Sequence, residues 1–411
     1  MAARILQTIF QSELNWILKS PSFTKDMTHV AKMIANCNTP AIGREIIYFC
    51  EHCQTIHFMW SSCGSRYCPH CGQQKTTAFL QKVENRILPC YYYFLTFTVP
   101  KELHYLFKLH NCSDFYNIFM DSVKQTLMNK MLDKNFCGGT PGMYMMLQTW
   151  TRSGEFHPHV HVILTGGGYD KENNQWVYPK IHYEFLARQQ LNADAKEFFE
   201  EHSELAQEFK TILKKEIQTK TNQPIPINAF CKKWVVDCFV ANTAKPLFKY
   251  LAKYMNRLFV SDSNIINYDP NSKTVTFNYR DRQANNQVVS KTLSTQDFIK
   301  LYLQHVLPKG FKRSRYYGIL SPAAHKTFAK AKNALATFSP PPPDTYVEQP
   351  KYQTKLLCPK CKHELTFCYT RSKHQNKNKI HPNNKILGTT IPPPTMGYQH
   401  ITVPSFKQVI I

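Results

Sequence analysis

A chain of 411 residues is long enough for two or three domains, and its 43% hydrophobic and 13% aromatic content permits a real core rather than general disorder. Its formal net charge of +23 far exceeds the roughly 2–8 charges that solubility asks of a small domain, so a polyanion, DNA or RNA, is the expected partner. No stretch reaches the roughly 18 uninterrupted apolar residues of a membrane span.

The N-terminal MAARILQTIFQSELNW carries Gln, Ser and Glu where a signal peptide would be continuously apolar, which points to the cytoplasm. The 14 cysteines are then reduced, and clustered ones read as metal ligands before disulfides. Composition divides the chain into a helical and Cys-rich segment (1–88), a mixed segment (89–320), and a Pro-rich linker with a basic tail (321–411). Four consecutive prolines at 340–343 continue neither a helix nor a sheet ladder and mark a stiff connection.

In the first segment, Cys50-x2-Cys53 and Cys68-x2-Cys71 are two knuckles separated by 14 residues, which is tetrahedral Zn²⁺ spacing for four thiolates. The expected role is structural: zinc folds a small module that grips DNA. Cys37, Cys63, His52, His57 and His70 lie close by; Cys63 could replace a ligand, or these residues could build a second site, but such extras are more often packed thiols or solvated imidazoles. Cys358-x2-Cys361 in the tail is a single knuckle that could close with His363, Cys368 or His374.

The middle segment opens with YYYFLTFTV at 91–99, aromatic and β-branched, a buried strand. Two further strands, 143–150 and 156–164, flank Arg152-Ser153-Gly154-Glu155. On the second, His157, His159 and His161 alternate to one face, and Pro158, Val160 and Val162 to the other. Imidazoles two residues apart on a strand can converge on one divalent cation. A two-residue turn at Ser153-Gly154 places Gln148 opposite His159 on the same face, where its amide oxygen suits a hard cation such as Mg²⁺ or Mn²⁺; Glu155 and His157 are the alternative third ligands. Residues 184–218 read as one or two helices, and 273–279 with 288–293 as another hairpin. Strands and helices mix without β-α-β alternation, so the fold expected is α+β with a largely antiparallel sheet.

Pro246 sits where a helix over 247–258 begins. Tyr250 and Tyr254 lie four apart, on one face of it, interleaved with Lys249, Lys253 and Arg257, a cationic rim for phosphates. Tyr-x-x-x-Tyr alone is more often core. Beside a histidine metal site on a basic protein it acquires a mechanism, because a tyrosine can hold a phosphodiester covalently.

Taken together, HPHVH preceded by LQTW, then FKYLAKYMNR, then HVLPKGFKRSRYYG at 305–318, resemble the transposases of the insertion sequence ninety-one family, rolling-circle enzymes of the His-hydrophobe-His endonuclease class. SSCGSRYCPHC at 61–71 resembles their N-terminal zinc domain, and the likeness runs from about Cys37 to Gly318. The resemblance implies His159 and His161 as ligands of a catalytic Mg²⁺ or Mn²⁺, with Gln148 where family members commonly carry His. It leaves His157 as a phosphate or neighbouring contact. It implies Tyr250 and Tyr254 as nucleophiles that cut one strand of single-stranded or hairpin element ends, leaving a 5′-phosphotyrosine and a 3′-OH, with host helicase and replication proteins as partners. A plasmid replication initiator or relaxase would share this chemistry, and a non-catalytic zinc DNA-binding regulator would share only the basic surface.

Overall fold

In the computed structural model, residues 4–109, 112–180, 202–241, 243–255, 258–281, 283–336 and 356–372 are described. The chain begins with three short helices, α1 (Ile5–Ser12), α2 (Leu14–Lys19) and α3 (Lys25–Ala35). The last starts where the Thr24 hydroxyl accepts the Met27 N–H at 3.3 Å, a side-chain N-cap. Strands β1 (Arg44–Cys50) and β2 (Thr55–Trp60) form a hairpin, and α4 (Pro69–Glu84) follows with proline in its first turn.

A six-stranded sheet then organises the protein. Its strands are β3 (Tyr92–Thr98), β4 (Thr140–Trp150), β5 (Phe156–Asp170), β6 (Gln175–Val177), β7 (Val236–Ala241) and β11 (Ser314–Gly318), with order β11-β4-β5-β3-β7 and β6 on the far end of β5. Every pairing is antiparallel, as the sequence pattern predicts. Helices α5 (Cys112–Leu132) and α6 (His202–Lys220) cover one face, burying Leu95, Phe97, Leu147, Val160, Val162 and Leu164 with Phe119, Val123, Phe209 and Leu213. A short α7 (Ile227–Cys231) leads into β7.

On the other face α8 (Ala244–Met255) packs Leu247, Phe248 and Leu251 onto Phe94, Tyr144, Met146 and Ile163. Because both faces are covered, β3 and β5 read as near-continuous apolar runs in the sequence. Histidines therefore stand out on β5 as polar groups on an otherwise apolar strand. A one-residue slip of β5 would drive His159 and His161 into the apolar core beneath α5 and α6, and a buried polar group without a partner costs roughly 1–3 kcal/mol, so the register of the histidines is strongly fixed.

A second, smaller sheet has the order β10-β9-β8, from β8 (Ile265–Asp269), β9 (Thr274–Asp281) and β10 (Gln287–Ser294). The hairpin read from the sequence is β9–β10, and β8 adds a third strand. Helix α9 (Thr295–Leu303) starts at Ser294, whose hydroxyl oxygen accepts the Asp297 N–H at 3.1 Å. Its Phe298, Ile299 and Tyr302 share a core with α1, α3 and Val275 and Phe277 of β9. After β11 come α10 (His325–Ala336) and β12 (Thr366–Ser372). Strand β12 returns to the N-terminal region and pairs with β1, giving a third sheet of order β12-β1-β2. Among the described residues no helix is long and apolar enough to cross a membrane.

Candidate active site and metal clusters

His159 and His161 lie on the α8 face of β5, each 7% exposed. The Nδ1 of His159 is 2.7 Å from the His157 carbonyl oxygen. A carbonyl can only accept, so this ring carries its proton on Nδ1 and presents the lone pair of Nε2, the form that ligates a metal. The Nδ1 of His161 is 3.1 Å from the Thr96 hydroxyl on β3, its register partner. The two imidazoles are 4.8 Å apart between centroids and nearly perpendicular.

Gln148 stands opposite His159, as the sequence arithmetic requires, but the turn differs from the one assumed. The Gly154 N–H donates to the Thr151 carbonyl and the Thr151 N–H to the Glu155 carbonyl, so the loop spans five residues and Trp150 pairs with Phe156. An irregularity at Thr149, between Gln148 and Trp150, restores the register further along the strands. The buried Gln148 amide donates from Nε2 to the Trp150 carbonyl at 3.1 Å, while its Oε1 has no hydrogen-bond partner among the described residues. A buried, unsatisfied amide oxygen is costly. It becomes favourable as a ligand, so this donor set of two imidazoles and one oxygen fits a divalent cation. His157, one step along the same face, is half-buried, and its ring is 5.4 Å from that of His159.

The tyrosine helix supplies the other half of the site. Tyr250 is 39% exposed. Its ring centroid lies 6.3 Å from that of His161, 5.8 Å from Phe94 and 5.2 Å from Tyr254. Tyr254 is half-buried and touches both the core of the tyrosine-helix face and that of the N-terminal helices. Lys249 is exposed on the same helix. The Lys253 side chain and Arg257 lie outside the described residues.

Three groups that sequence reasoning left without a role, His305 and Arg313 buried and His104 half-buried, lie around this arrangement. Gly154, at φ +87°, adopts a conformation suited to glycine, and a Cβ there would meet the Phe259 ring at 2.8 Å. The Gly154 carbonyl accepts from His305 Nε2 at 2.9 Å, and His305 Nδ1 is 3.2 Å from the Thr149 hydroxyl, so one imidazole spans the hairpin from turn to bulge. Burial pushes the His305 pKa down to about 4. The Arg313 guanidinium donates to the Tyr254 carbonyl, near the C-terminal end of the tyrosine helix, and lies 5.1 Å from the Trp150 ring. Burial lowers its pKa to about 10, which leaves it charged at neutral pH. His104 is the third: its ring is 5.8 Å from that of His157, and burial and then the neighbouring His157 push its pKa down to about 4. Only the place of His305 and Arg313 within the HVLPKGFKRSR motif signalled the first two.

The cysteines correct the sequence reading. Cys50, Cys53, Cys68 and Cys71 do not meet at one point. Cys68 and Cys71, at the start of α4, gather with Cys37 after α3 and Cys63 after β2 in a fully buried quartet. Cys50 and Cys53, at the β1–β2 turn, gather instead with Cys358 and Cys361. In the first quartet Cys71 Sγ is 3.6 Å from Cys37 Sγ and 3.5 Å from Cys63 Sγ. A disulfide needs about 2.05 Å, whereas the edge of a tetrahedron with Zn–S bonds of about 2.3 Å is about 3.8 Å, so these thiols fit zinc. The spacing argument failed because knuckle connectivity is a tertiary property that sequence spacing does not determine.

Residues 142–327 match the family described as "Putative transposase", and residues 9–99 match the one described as "Transposase zinc-binding domain". The chain belongs to the transposases of the insertion sequence ninety-one family. Among curated relatives, the "Putative transposase y4qJ" of Sinorhizobium fredii (strain NBRC 101917 / NGR234) is 26% identical over 79% of this chain and 82% of its own length. The "Transposase for insertion sequence element IS801" of Pseudomonas savastanoi pv. phaseolicola is 26% identical over 71% of this chain and 69% of its own. No solved structure matches significantly. Membership makes this a DNA-binding transposase with a structural zinc, and the buried Cys37–Cys63–Cys68–Cys71 quartet falls wholly within the zinc-binding match.

The His305 environment makes a prediction. With its pKa near 6.5 unfolded and about 4 folded, the folded state prefers the neutral ring. Its contribution is complete above about pH 6.5 and is lost as pH falls toward 4, by up to about 3 kcal/mol. Denaturant unfolding at pH 7.5 and 5 should show this loss in the wild type and a clearly smaller one in His305→Gln. Equal losses would exclude His305 as the source.

Proposed function

We propose that this transposase cuts and rejoins single DNA strands through a tyrosine nucleophile beside a divalent metal held by His159, His161 and Gln148. The observation that carries the reading is the meeting of two elements far apart in the chain: the Tyr250 ring on α8 lies 6.3 Å from the His161 ring, while Gln148, opposite His159 in the register, carries a buried and unsatisfied oxygen. Mg²⁺ or Mn²⁺ bound there would polarise the scissile phosphate and stabilise the charge that develops on it.

Tyr250 is the more exposed tyrosine and the one against the histidine pair, so it makes the first attack. Its phenolic oxygen, having given up its proton to solvent, forms a bond to phosphorus. The bond from phosphorus to the 3′ oxygen breaks, and that oxygen takes up a proton as a 3′-OH. The 5′ phosphate stays on the tyrosine. Attack on the phosphotyrosine by a 3′-OH reverses these steps and rejoins a strand, without ATP. Tyr254, one turn along the same helix, can accept a second strand. Lys249 and His157 contact flanking phosphates. The 3′-OH would prime strand displacement by host helicase and replication proteins, which makes this a rolling-circle reaction.

Tyr250→Phe with Tyr254→Phe should abolish nicking of single-stranded element-end DNA in Mg²⁺ or Mn²⁺, while binding of the same DNA stays within about twofold. Of the single variants, Tyr250→Phe should show the larger loss in the first nick. Cleavage by the double variant would refute the tyrosine mechanism.

The metal assignment has its own test. By calorimetry, Gln148→Leu should weaken Mn²⁺ binding by about tenfold or more, and Gln148→His, which supplies an imidazole donor in its place, should keep or tighten it. His161→Ala should lose metal-dependent cleavage with its zinc content unchanged. Mn²⁺ affinity indifferent to both Gln148 variants would remove Gln148 from the ligand set.

A further inference from the structure

We propose that Cys50, Cys53, Cys358 and Cys361 bind a second structural Zn²⁺, which staples the C-terminal segment onto the N-terminal zinc module. Cys358 and Cys361 lie beyond both family matches, which end at residues 99 and 327. The proposal is independent of the nuclease mechanism.

Its geometry is that of a thiolate site. Cys50 Sγ is 3.4 Å from Cys361 Sγ, and Cys53 Sγ is 3.6 Å from Cys358 Sγ. All four sulfurs lie within 4.8 Å of one another. These distances are too long for a disulfide and close to the edge of a zinc tetrahedron, about 3.8 Å. Hydrogen-bonding groups surround the sulfurs. Buried His57 places Nε2 3.3 Å from Cys358 Sγ, and the Thr55 hydroxyl is 2.9 Å from Cys53 Sγ. Donors of this kind temper the negative charge that four thiolates keep around one Zn²⁺.

The surroundings show why a metal is needed. Strand β12 pairs with β1 from Arg44–Ser372 to Phe49–Thr366, yet among the described residues the cluster beneath this end of the sheet has Cys50, Cys358 and Leu365 as its buried members, with Tyr48 and Leu356 partly buried against them. Two of those three are the thiols themselves. Phe367 of β12 is exposed, and Arg371, which pairs with Glu45, is exposed too, so solvent screens that ion pair at one end. An apolar patch this small offers little to offset the entropy of closing the Cys358–Cys361 segment onto the β1–β2 turn. Zinc binding couples that closure to folding, as in small metal-dependent modules. Cys53 and Cys361 are only partly buried, whereas the Cys37 quartet is buried throughout, so the second ion is the more accessible to chelators.

The test is zinc stoichiometry of the full-length protein, joined to hydrogen exchange of the β12 amides. The wild type should carry two zinc ions per chain. Cys358→Ser with Cys361→Ser should carry one, and so should Cys50→Ser with Cys53→Ser, each with loss of exchange protection across 366–372. Combining all four substitutions should still leave one. Cobalt-loaded wild type, which needs no variant to fold, should show two tetrahedral thiolate centres per chain. One zinc or cobalt centre in the wild type, two in the Cys358/Cys361 variant, or unchanged β12 protection on losing the second ion would each overturn the staple.

Discussion

The carbonyl of His157, accepting from His159 Nδ1, fixes which nitrogen of that ring faces the site. It can do so only because β5 cannot slide. Val160, Val162 and Leu164 are locked into a core with α5 and α6, and Ile163 into the core beneath the tyrosine helix. A strand buried on both faces holds two polar imidazoles in place more firmly than a loop would, since a change of register would push them into the apolar core on the other face. The Thr96 hydroxyl on the neighbouring strand adds a contact to His161, and Gln148 on the strand opposite brings an unsatisfied oxygen.

Around this strand the protein builds braces from parts that are distant in sequence. His305 ties the β4–β5 turn to the irregularity at Thr149. The next contact along leads to the zinc module: the Leu307 N–H donates to the Tyr67 hydroxyl at 2.8 Å, and Tyr302 donates to the Tyr67 carbonyl. Tyr67 lies between Cys63 and Cys68, so this cysteine loop bears directly on the segment that holds the histidine hairpin. Arg313 makes the remaining link, from the end of the tyrosine helix to Trp150. The N-terminal module is thus continuous with the frame of the site.

The α+β class and the antiparallel sheet were legible because period-two patterns and uninterrupted apolar runs are local signals. The facing of Gln148 and His159 was also legible, although for an incomplete reason. A longer turn and a compensating irregularity happen to give the register that a two-residue turn gives. The cysteine partners were not legible. Nothing near Cys50 says that its partners lie some three hundred residues on, and nothing in the sequence around Cys37 says that it meets Cys71. The available hint was arithmetic. Three knuckles supply six thiols, two four-ligand sites need eight, and Cys37 and Cys63 make up the difference. His305 escaped for another reason: a buried histidine that spans a turn has no local pattern to betray it.

If Tyr250 is the nucleophile, it carries the cut DNA strand covalently. Incubating the wild-type transposase with single-stranded element-end DNA and Mn²⁺, trapping the covalent product, and mapping its nuclease-trimmed peptide by mass spectrometry would locate the attachment. A nucleotide joined through its 5′ phosphate to Tyr250 is expected, with any second adduct on Tyr254. A covalent adduct on any other residue, or cleaved DNA with no adduct at all, would contradict that role for Tyr250.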